Sequence, residues 1–401
     1  MNRFSLATFP LQNKTVFLRV DFNVPLEKKT VADNRKIKAS LPTIKYLLSQ
    51  DCKIILATHL GRPQGKYTPE LKVAPLAKEL AKFLPQTHLL ALPDCIGKEI
   101  KRKIQQGKPQ DIFFLENLRF YKEEEENDLA FAHSLAELAD VYVNEAFASY
   151  YPHASVEAIT RFLPAVAGLL MEKEILSLQK GIKPRRPSVW LLGGGKLTKM
   201  EIIAKALKKA DYILLGGALP FPFLKAQRLS IGMSKSDYKS EQKARELLNR
   251  RAAKKIIFPV DFVVADSFSS HAKTSIVPFN NLPSTHIALD LGTETIKLYK
   301  QYLRKAHTIV WNGPLGYFEW AKFAAATREI GTFITSLTAI SLCGGGETAE
   351  AIYKFNLEHG MTYVSTGGGA MADFLTGKKL PSIAALERNY QQFKGKIQLL
   401  I

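Results

Sequence analysis

Cysteine is scarce in this sequence. Cys52, Cys95 and Cys343 lie far apart and form no C-x-x-C pair, which removes a disulfide framework and a zinc site and leaves three small hydrophobes for the interior. No stretch approaches the ~20 consecutive apolar residues of a membrane-crossing helix. The opening MNRFSLATFP lacks the basic-then-apolar order of a secretory leader. A cytoplasmic location with no membrane partner is expected. Acids are short too: 37 Asp and Glu stand against 56 Lys and Arg, a formal net charge of +19. That excess favours phosphorylated or polyanionic partners through long-range attraction and says nothing of fold. The bases come in scattered pieces, KEIKRK near Lys98, KPRRP near Lys183 and RRAAKK near Arg250, as on solvated helix faces. No nucleic-acid motif accompanies them, so nucleic acid is not an expected partner. Two nucleotide signatures are also missing. GRPQGK (Gly61 to Lys66) is one residue short of a P-loop and no G-x-G-x-x-G occurs, so neither a P-loop ATPase nor a dinucleotide-binding dehydrogenase is supported. There is no internal repeat and no low-complexity tract.

What the chain does have is an alternation of β-type apolar runs and helical stretches. Its 401 residues suffice for about two or three domains with real cores. Thr15 to Pro25 and Lys53 to Pro63 read as strands ending in polar loops, with Lys36 to Gln50 helical between them. Repetition of this plan implies βαβ units and a mostly parallel sheet. The first half closes near Leu163. Ala165 to Ile182 reads as one helix, and KPRRP (Lys183 to Pro187) breaks it. The alternation then restarts with SVWLLGGGK, DYILLGGA, IIFPVDFVVA, TIVWNGPLG and SLCGGGETAE. The expected fold is α/β: two three-layer domains with mostly parallel sheets joined by a long helix, divided as 1–164, 165–187 and 188–390.

The chemistry is sought at the strand ends, because in open α/β sheets ligands gather beyond the carboxyl ends of strands. Five glycine turns follow apolar runs: Gly193 to Gly195 with Lys196, Gly216 with Gly217, Gly313 with Pro314, Gly344 to Gly346, and Gly367 to Gly369. Where such a turn opens a helix, as at Ser341 to Glu350, the free amides and the macrodipole hold an anionic oxygen without a cationic side chain. Lys196, Lys199, Asn312 and Glu319 accompany these turns, and Glu319 could accept from ribose hydroxyls. The first half offers side chains instead: Asp21, Asn23, His59, Arg62, Arg119 and Glu145. Arginine forks suit phosphate and carboxylate, and Asp and Asn suit hydroxyls, a set that describes a small phosphorylated acid. Singly, His59 could be a core histidine and Arg119 could pair with Glu116.

VDFNVP, THLGRP, LENLRF, VNEAF, AGLLMEKE, GGGK, WNGPLGYFEW, GGGETA and STGGGA, in this order and at about these spacings, resemble the phosphoglycerate kinase family from end to end. The resemblance implies two domains facing a central cleft, the first for 3-phosphoglycerate and the second for Mg-nucleotide, with residues 391–401 returning to the first. It implies reversible phosphoryl transfer from 1,3-bisphosphoglycerate to ADP, with Mg2+ beside ATP or ADP, a carboxyl group as acceptor and small-molecule substrates. A monomer is expected. Carried over by motif, Asp21, Asn23, His59, Arg62 and Arg119 would hold the glycerate. Lys196 and Lys199 would grip phosphates, Gly216 and Gly217 would lie against adenine, and Asn312, Pro314, Glu319 and Thr348 would contact the nucleotide. Gly345, Gly346, Gly368 and Gly369 would present amides to the phosphoryl group in flight.

Four departures from the family pattern stand out. The family's RIKA arginine is Lys36, with Arg35 beside it as a rival for the catalytic charge; lysine keeps the charge and loses the planar fork. The AHRAH segment has become SYYPHAS, leaving Tyr150, Tyr151 and His153. Gly195 replaces an alanine and Lys199 comes one residue early. Glu347 replaces the magnesium-binding aspartate, and its longer carboxylate must reposition or act through water. The alternative to an active kinase is a non-catalytic relative that binds nucleotide or a phosphorylated ligand for regulation.

Overall fold

In the computed structural model, which describes residues 4–398, the chain divides into two compact units. Among the described residues, the first unit takes those up to Ile175 together with those from Lys379 onward, and the second takes Leu176–Lys378.

The first unit is built on seven parallel strands in the order Phe4–Ser5, Ala165–Ala167, Val141–Asn144, Thr15–Arg19, Lys53–Ala57, Ile112–Phe114 and Leu89–Ala91. Its central strands are continuous apolar runs, with Val16, Phe17, Leu18, Ile54, Ile55 and Leu56 fully buried, as parallel strands covered on both faces require. The crossover helix Arg35–Ser49 buries Ile37, Ile44 and Leu47, spaced to lie along one face, against that sheet. The second unit has six parallel strands in the order Ile256–Ile257, Tyr212–Leu215, Ser188–Leu192, Thr308–Asn312, Ile340–Gly344 and Tyr363–Ser365. A smaller antiparallel sheet, Thr274–Pro278, Asp261–Ala265 and Ile287–Leu291, stands beside it. The mostly parallel α/β class read from the sequence holds in both units.

Three segments differ from expectation. Ala165 to Ile182 is not one helix: Ala165–Ala167 is a strand paired on both sides, and the helix is Leu169–Ile182. Val141–Asn144 pairs with all three residues and Phe4–Ser5 with Val166 and Ala167, and this tertiary context overrides their helical composition. Gly168 makes the corner, where a Cβ would come within 2.0 Å of Glu145 Oε2. IIFPVDFVVA likewise splits at Pro259, with Ile256–Ile257 in the main sheet and Asp261–Ala265 in the small one. Finally, the chain returns to the first unit at Lys379 rather than after residue 390. The helix Pro381–Gln398 buries Ile383, Ala385 and Leu386 there. Its Asn389 carboxamide accepts from Ala165 N at 2.8 Å and donates to the carbonyls of Thr160 and Leu163 at 2.6 and 2.7 Å. Residues 399–401 of the expected returning tail lie outside the described residues.

Candidate active site

In the first unit the polar residues beyond the strand ends interlock. Lys36, in the first turn of Arg35–Ser49, donates from Nζ to Asp21 Oδ2 at 2.8 Å and to Asn23 O at 3.2 Å. Burial would push the Asp21 carboxyl up, but the Lys36 ammonium brings it below the ordinary carboxylate value. Asn23 Oδ1 in turn accepts from Gly61 N at 3.0 Å, joining the first strand end to the second. Arg119 Nη1 donates to Gly61 O at 3.0 Å, and its Nε lies 3.5 Å from Glu125 Oε1 without hydrogen-bond geometry, so that donor is buried and unspent. Asn117, from the same loop, holds Leu60 at both its N–H and its carbonyl, at 3.1 and 2.8 Å, and so fixes the THLGRP turn. Arg62, on that turn, is exposed.

A third arginine, unnoticed in the sequence, lies beneath this surface. Arg19 ends the strand Thr15–Arg19 and is fully buried. It donates from Nε to Ser155 Oγ at 2.8 Å, approaches His59 Nδ1 at 3.2 Å and stands 3.9 Å from the equally buried Glu124. Ser155 donates onward to Glu124 Oε1 at 2.6 Å. Burial, and then the Arg19 charge, hold the His59 imidazole well below its ordinary value, so it is neutral at neutral pH. Thus His59 is a buried histidine packed on a charged group, the plainer of its two sequence readings. Arg35 takes another direction: its Nε donates to both oxygens of Asp33 at 2.9 Å, and Lys36 alone reaches Asp21. Glu116, offered as a partner for Arg119, instead accepts from Val73 N and Asn117 N at 2.9 Å. In the altered SYYPHAS segment, Tyr150 and His153 are buried and the Tyr150 and Tyr151 rings stack at 4.5 Å, presenting no cation in place of the family's arginine.

In the second unit all five glycine turns follow neighbouring strands of one sheet, so they lie side by side. Their backbones are sewn together: Gly194 N donates to Pro314 O at 2.7 Å, Gly217 N to Leu315 O at 2.8 Å and Ala218 N to Gly194 O at 3.0 Å. Such approaches leave no room for side chains. A Cβ on Gly217, whose φ is +56°, would stand 2.5 Å from Gly194 N, and one on Gly313 would stand 2.1 Å from Gly193 O. Gly195 and Gly346 differ, because nothing lies within 4 Å of a Cβ at either and both are exposed. Gly346 opens the helix Gly346–Lys354, and Gly368, which opens Gly368–Leu375, packs against Gly345, so two helix N-termini converge. Gly369 follows in the exposed first turn of the second of these helices.

Beside them lies a cavity of about 340 Å³. Gly194, Gly195, Gly217, Pro314, Glu319 and Glu347 line it, and Phe221, Phe262, Leu289 and Leu315 provide apolar wall. Gly216 packs behind, where a Cβ would meet Leu315. Lys199 Nζ donates to Gly193 O at 2.9 Å, and burial pulls its ammonium down to about 8. Lys196 is exposed and 3.9 Å from Glu347 Oε1. Thr348 is buried, its hydroxyl accepting from Gly313 N at 2.6 Å and donating to Gly344 O at 3.0 Å, so it braces two turns. Asn312 lies buried beside Gly345. Burial raises the Glu319 carboxyl.

The sequence model of the family described as phosphoglycerate kinase matches residues 6–378. This chain belongs to the phosphoglycerate kinase family. It is 43% identical over 392 residues to the phosphoglycerate kinase of Moorella thermoacetica, a span covering 96% of this chain and 99% of that one. To that of Aquifex aeolicus it is 41% identical over 394 residues, again covering 96% and 99%. The solved phosphoglycerate kinase of Coxiella burnetii superposes with a TM-score of 0.83 at 34% identity, and that of Pyrococcus horikoshii OT3 with 0.86 at 31%. Each superposition covers 97% of this chain and all of the other.

Against the phosphoglycerate kinase pattern, the substituted positions have physical explanations. Gly195 faces open space, so losing an alanine methyl removes no contact. Lys199, one residue early, still reaches the glycine turns. Among the described residues no group of three His, Cys, Asp or Glu side chains is arranged to hold a metal. A single carboxylate, Glu347, reaches into the space left by Gly194, where a Cβ would meet its Oε2 at 2.8 Å. One carboxylate plus ligand phosphates is the donor set magnesium commonly takes, so these residues fit an ion carried in by the nucleotide. Arg19 and Asn117 are the functional-looking residues that sequence reasoning passed over. The available signal was a lone charge inside the apolar run TVFLRV and an amide inside LENLRF.

Proposed function

We propose that this chain catalyses reversible phosphoryl transfer between 1,3-bisphosphoglycerate and ADP, giving 3-phosphoglycerate and ATP, with a carboxyl group as acceptor. In this reading it works as a cytoplasmic monomer. The observation that carries the reading is Lys36, an ammonium that donates to Asp21 and to the carbonyl of Asn23 and whose charge, like that of Arg119, is felt at His59. Such transfer asks little covalent work of a protein: it needs donor and acceptor oxygens in line and charge on the equatorial oxygens neutralised. Arg62 and Arg119 are assigned to the glycerate's phosphate and carboxylate, with Asp21 and Asn23 on its hydroxyl. Lys36 supplies transition-state charge, and Asp21 fixes where that charge stands. The apolar cavity takes the base, with Gly216, Gly217 and Pro314 at its wall and Glu319 on the ribose. Lys196, Lys199 and the amides of Gly345, Gly346, Gly368 and Gly369 take phosphate oxygens, and Asn312 and Thr348 hold the turns that present them. Glu347 would hold Mg2+, which when bound neutralises nucleotide phosphate charge. Full-length identity with kinases favours turnover over the non-catalytic alternative.

The test is a coupled assay of purified protein with 3-phosphoglycerate and Mg-ATP. Turnover that requires both substrates supports the reading; binding of both by calorimetry without turnover overturns it.

A further inference from the structure

The carboxyl ends of the second unit's strands carry the nucleotide cavity, and their amino ends carry a concentration of charge. Ile256–Ile257, Tyr212–Leu215, Ser188–Leu192 and Thr308–Asn312 are neighbours and parallel, so the segments leading into them line one edge of the sheet. Those segments are residues 251–255, 207–211, 183–187 and 304–307. Together they hold ten Lys and Arg against one acid, Asp211, hence +9 of the chain's +19. Hydrogen bonds join them into one ridge. Lys255 Nζ donates to Leu207 O at 3.0 Å and Ala210 O at 2.8 Å. Arg186 pairs with Asp211, which also accepts from Ser188 N at 2.8 Å. Thr308 Oγ1 donates to Arg185 O at 3.0 Å.

Some of this charge is structural, since Lys255 satisfies carbonyls that follow the helix Met200–Ala206 and Arg186 neutralises Asp211. Arg304, in the last turn of Thr293–Arg304, lies over the Phe333 ring at 5.7 Å, and Lys209 is half-buried. Six remain. Lys183, Arg185, Lys208, Arg251, Lys254 and Lys305 are exposed, and among the described residues none has a carboxylate within ion-pair distance. Like charges set side by side cost stability unless a counter-charge meets them.

We propose that this edge binds the phosphate backbone of double-stranded nucleic acid without regard to base sequence. Strands about 4.8 Å apart spread the four segments over roughly 14 Å. A duplex carries one phosphate charge per about 1.7 Å of axis, so several phosphates meet the ridge at once. Arg185 and Arg251 offer forks that match phosphate oxygens. None of the four segments contains Phe, Tyr or Trp, and the one imidazole, His307, is tied to the carbonyl of Arg186, so the ridge offers no large aromatic platform for single-stranded bases or a lipid interface. The ridge lies at the end of the strands opposite the nucleotide cavity, so its occupation leaves turnover unchanged.

The experiment compares the full-length protein with a variant carrying Arg185→Gln, Lys208→Gln, Arg251→Gln and Lys254→Gln. Both are titrated by fluorescence anisotropy against labelled RNA and DNA duplexes of arbitrary sequence, between roughly 50 and 200 mM salt. None of the four residues belongs to either half-site, so retained kinase turnover reports that the variant is folded. For the parent protein, log K falls linearly with log salt with a slope of about −4 to −6. The variant binds at least about 30-fold more weakly with a slope shallower by about 3. Equal affinity for the two duplexes assigns recognition to phosphate alone, and tighter binding of RNA adds a contribution from its 2′-hydroxyls; both uphold the proposal. Unchanged duplex binding by the variant overturns it. So does an equal loss on neutralising Lys98, Lys101, Arg102 and Lys103 in the first unit, which would show a bulk charge effect. Tighter binding to phosphatidylserine vesicles than to either duplex also overturns it, and assigns the ridge to a membrane surface.

Discussion

The two half-sites solve similar problems with different materials. The first unit presents polar and charged side chains tied into the backbone and to one another: Lys36 on Asp21, Asn23 on Gly61 and Arg119 on Gly61. The second uses backbone, with glycine turns packed so closely that side chains are excluded. The contrast shows where each half is vulnerable. A side-chain site loses function when one group is truncated, while its scaffold survives. A backbone site tolerates change where space is open, as at Gly195, and fails wherever a methyl meets a neighbouring carbonyl or amide.

The contrast is broken or sharpened by four measurements. The largest effect is expected at Lys36. Lys36→Ala lowers turnover by about 10²-fold or more, the scale of one lost transition-state donor, whereas Arg35→Ala, whose guanidinium already serves Asp33, leaves it near wild type. Lys36→Arg raises the rate if the site admits the fork. A large loss only in Arg35→Ala would transfer the role to that residue. Next come ligand affinities. Arg119→Ala and Arg62→Ala each weaken 3-phosphoglycerate by roughly 10- to 100-fold, as expected for a hydrogen bond to a charged group, with ADP affinity nearly unchanged. Gly217→Ala does the reverse, and its clash with Gly194 destabilises the second unit by about 1 to 3 kcal/mol. Calorimetry showing equal losses of both ligands in either variant would end the division of labour.

Third is pH. Burial brings the Lys199 ammonium down to about 8 in the ligand-free protein, so ADP affinity declines as pH rises through that value. Lys199→Met removes the decline, and a wild-type profile flat between pH 7 and 9, spanning that value of about 8, would contradict it. The smallest effect concerns a pair of buried acids, one in each unit. Glu145 accepts from Leu170 N at 3.2 Å and Met171 N at 3.3 Å, at the start of a helix, and Asp290 accepts from Ala326 N at 3.1 Å, at the start of another. Burial pushes both carboxyls up to about 8. The folded form of Glu145 therefore keeps a proton that the unfolded chain releases near 4.5, and stability is lost as pH rises from there through about 8. Glu145→Gln should flatten that loss, read as the difference in urea midpoint between acidic and mildly alkaline buffer. An unchanged difference would show that Glu145 is ionised throughout.

What could be read in advance follows the range of the interactions involved. The apolar runs, the glycine turns behind them and the side chains just past the strand ends are local patterns, so TVFLRVDFNVP or SLCGGGETAE by itself determined a strand, a turn and the residue types presented there. The α/β class and the family motifs come from the same local information. Long-range pairing lay outside it. Ala165–Ala167 is a strand because sheet neighbours flank it, and Asn389 belongs with Thr160 and Leu163 although more than two hundred residues separate them in the chain. Arg19 can be buried because Glu124 and Ser155 arrive from elsewhere to meet it. Arg35 and Lys36 differ by one position, and only the folded backbone turns one toward Asp33 and the other toward Asp21. The basic segments looked scattered because charge along a chain carries no record of which strands will be neighbours. Parallel pairing decided that, by placing four strand starts on one edge.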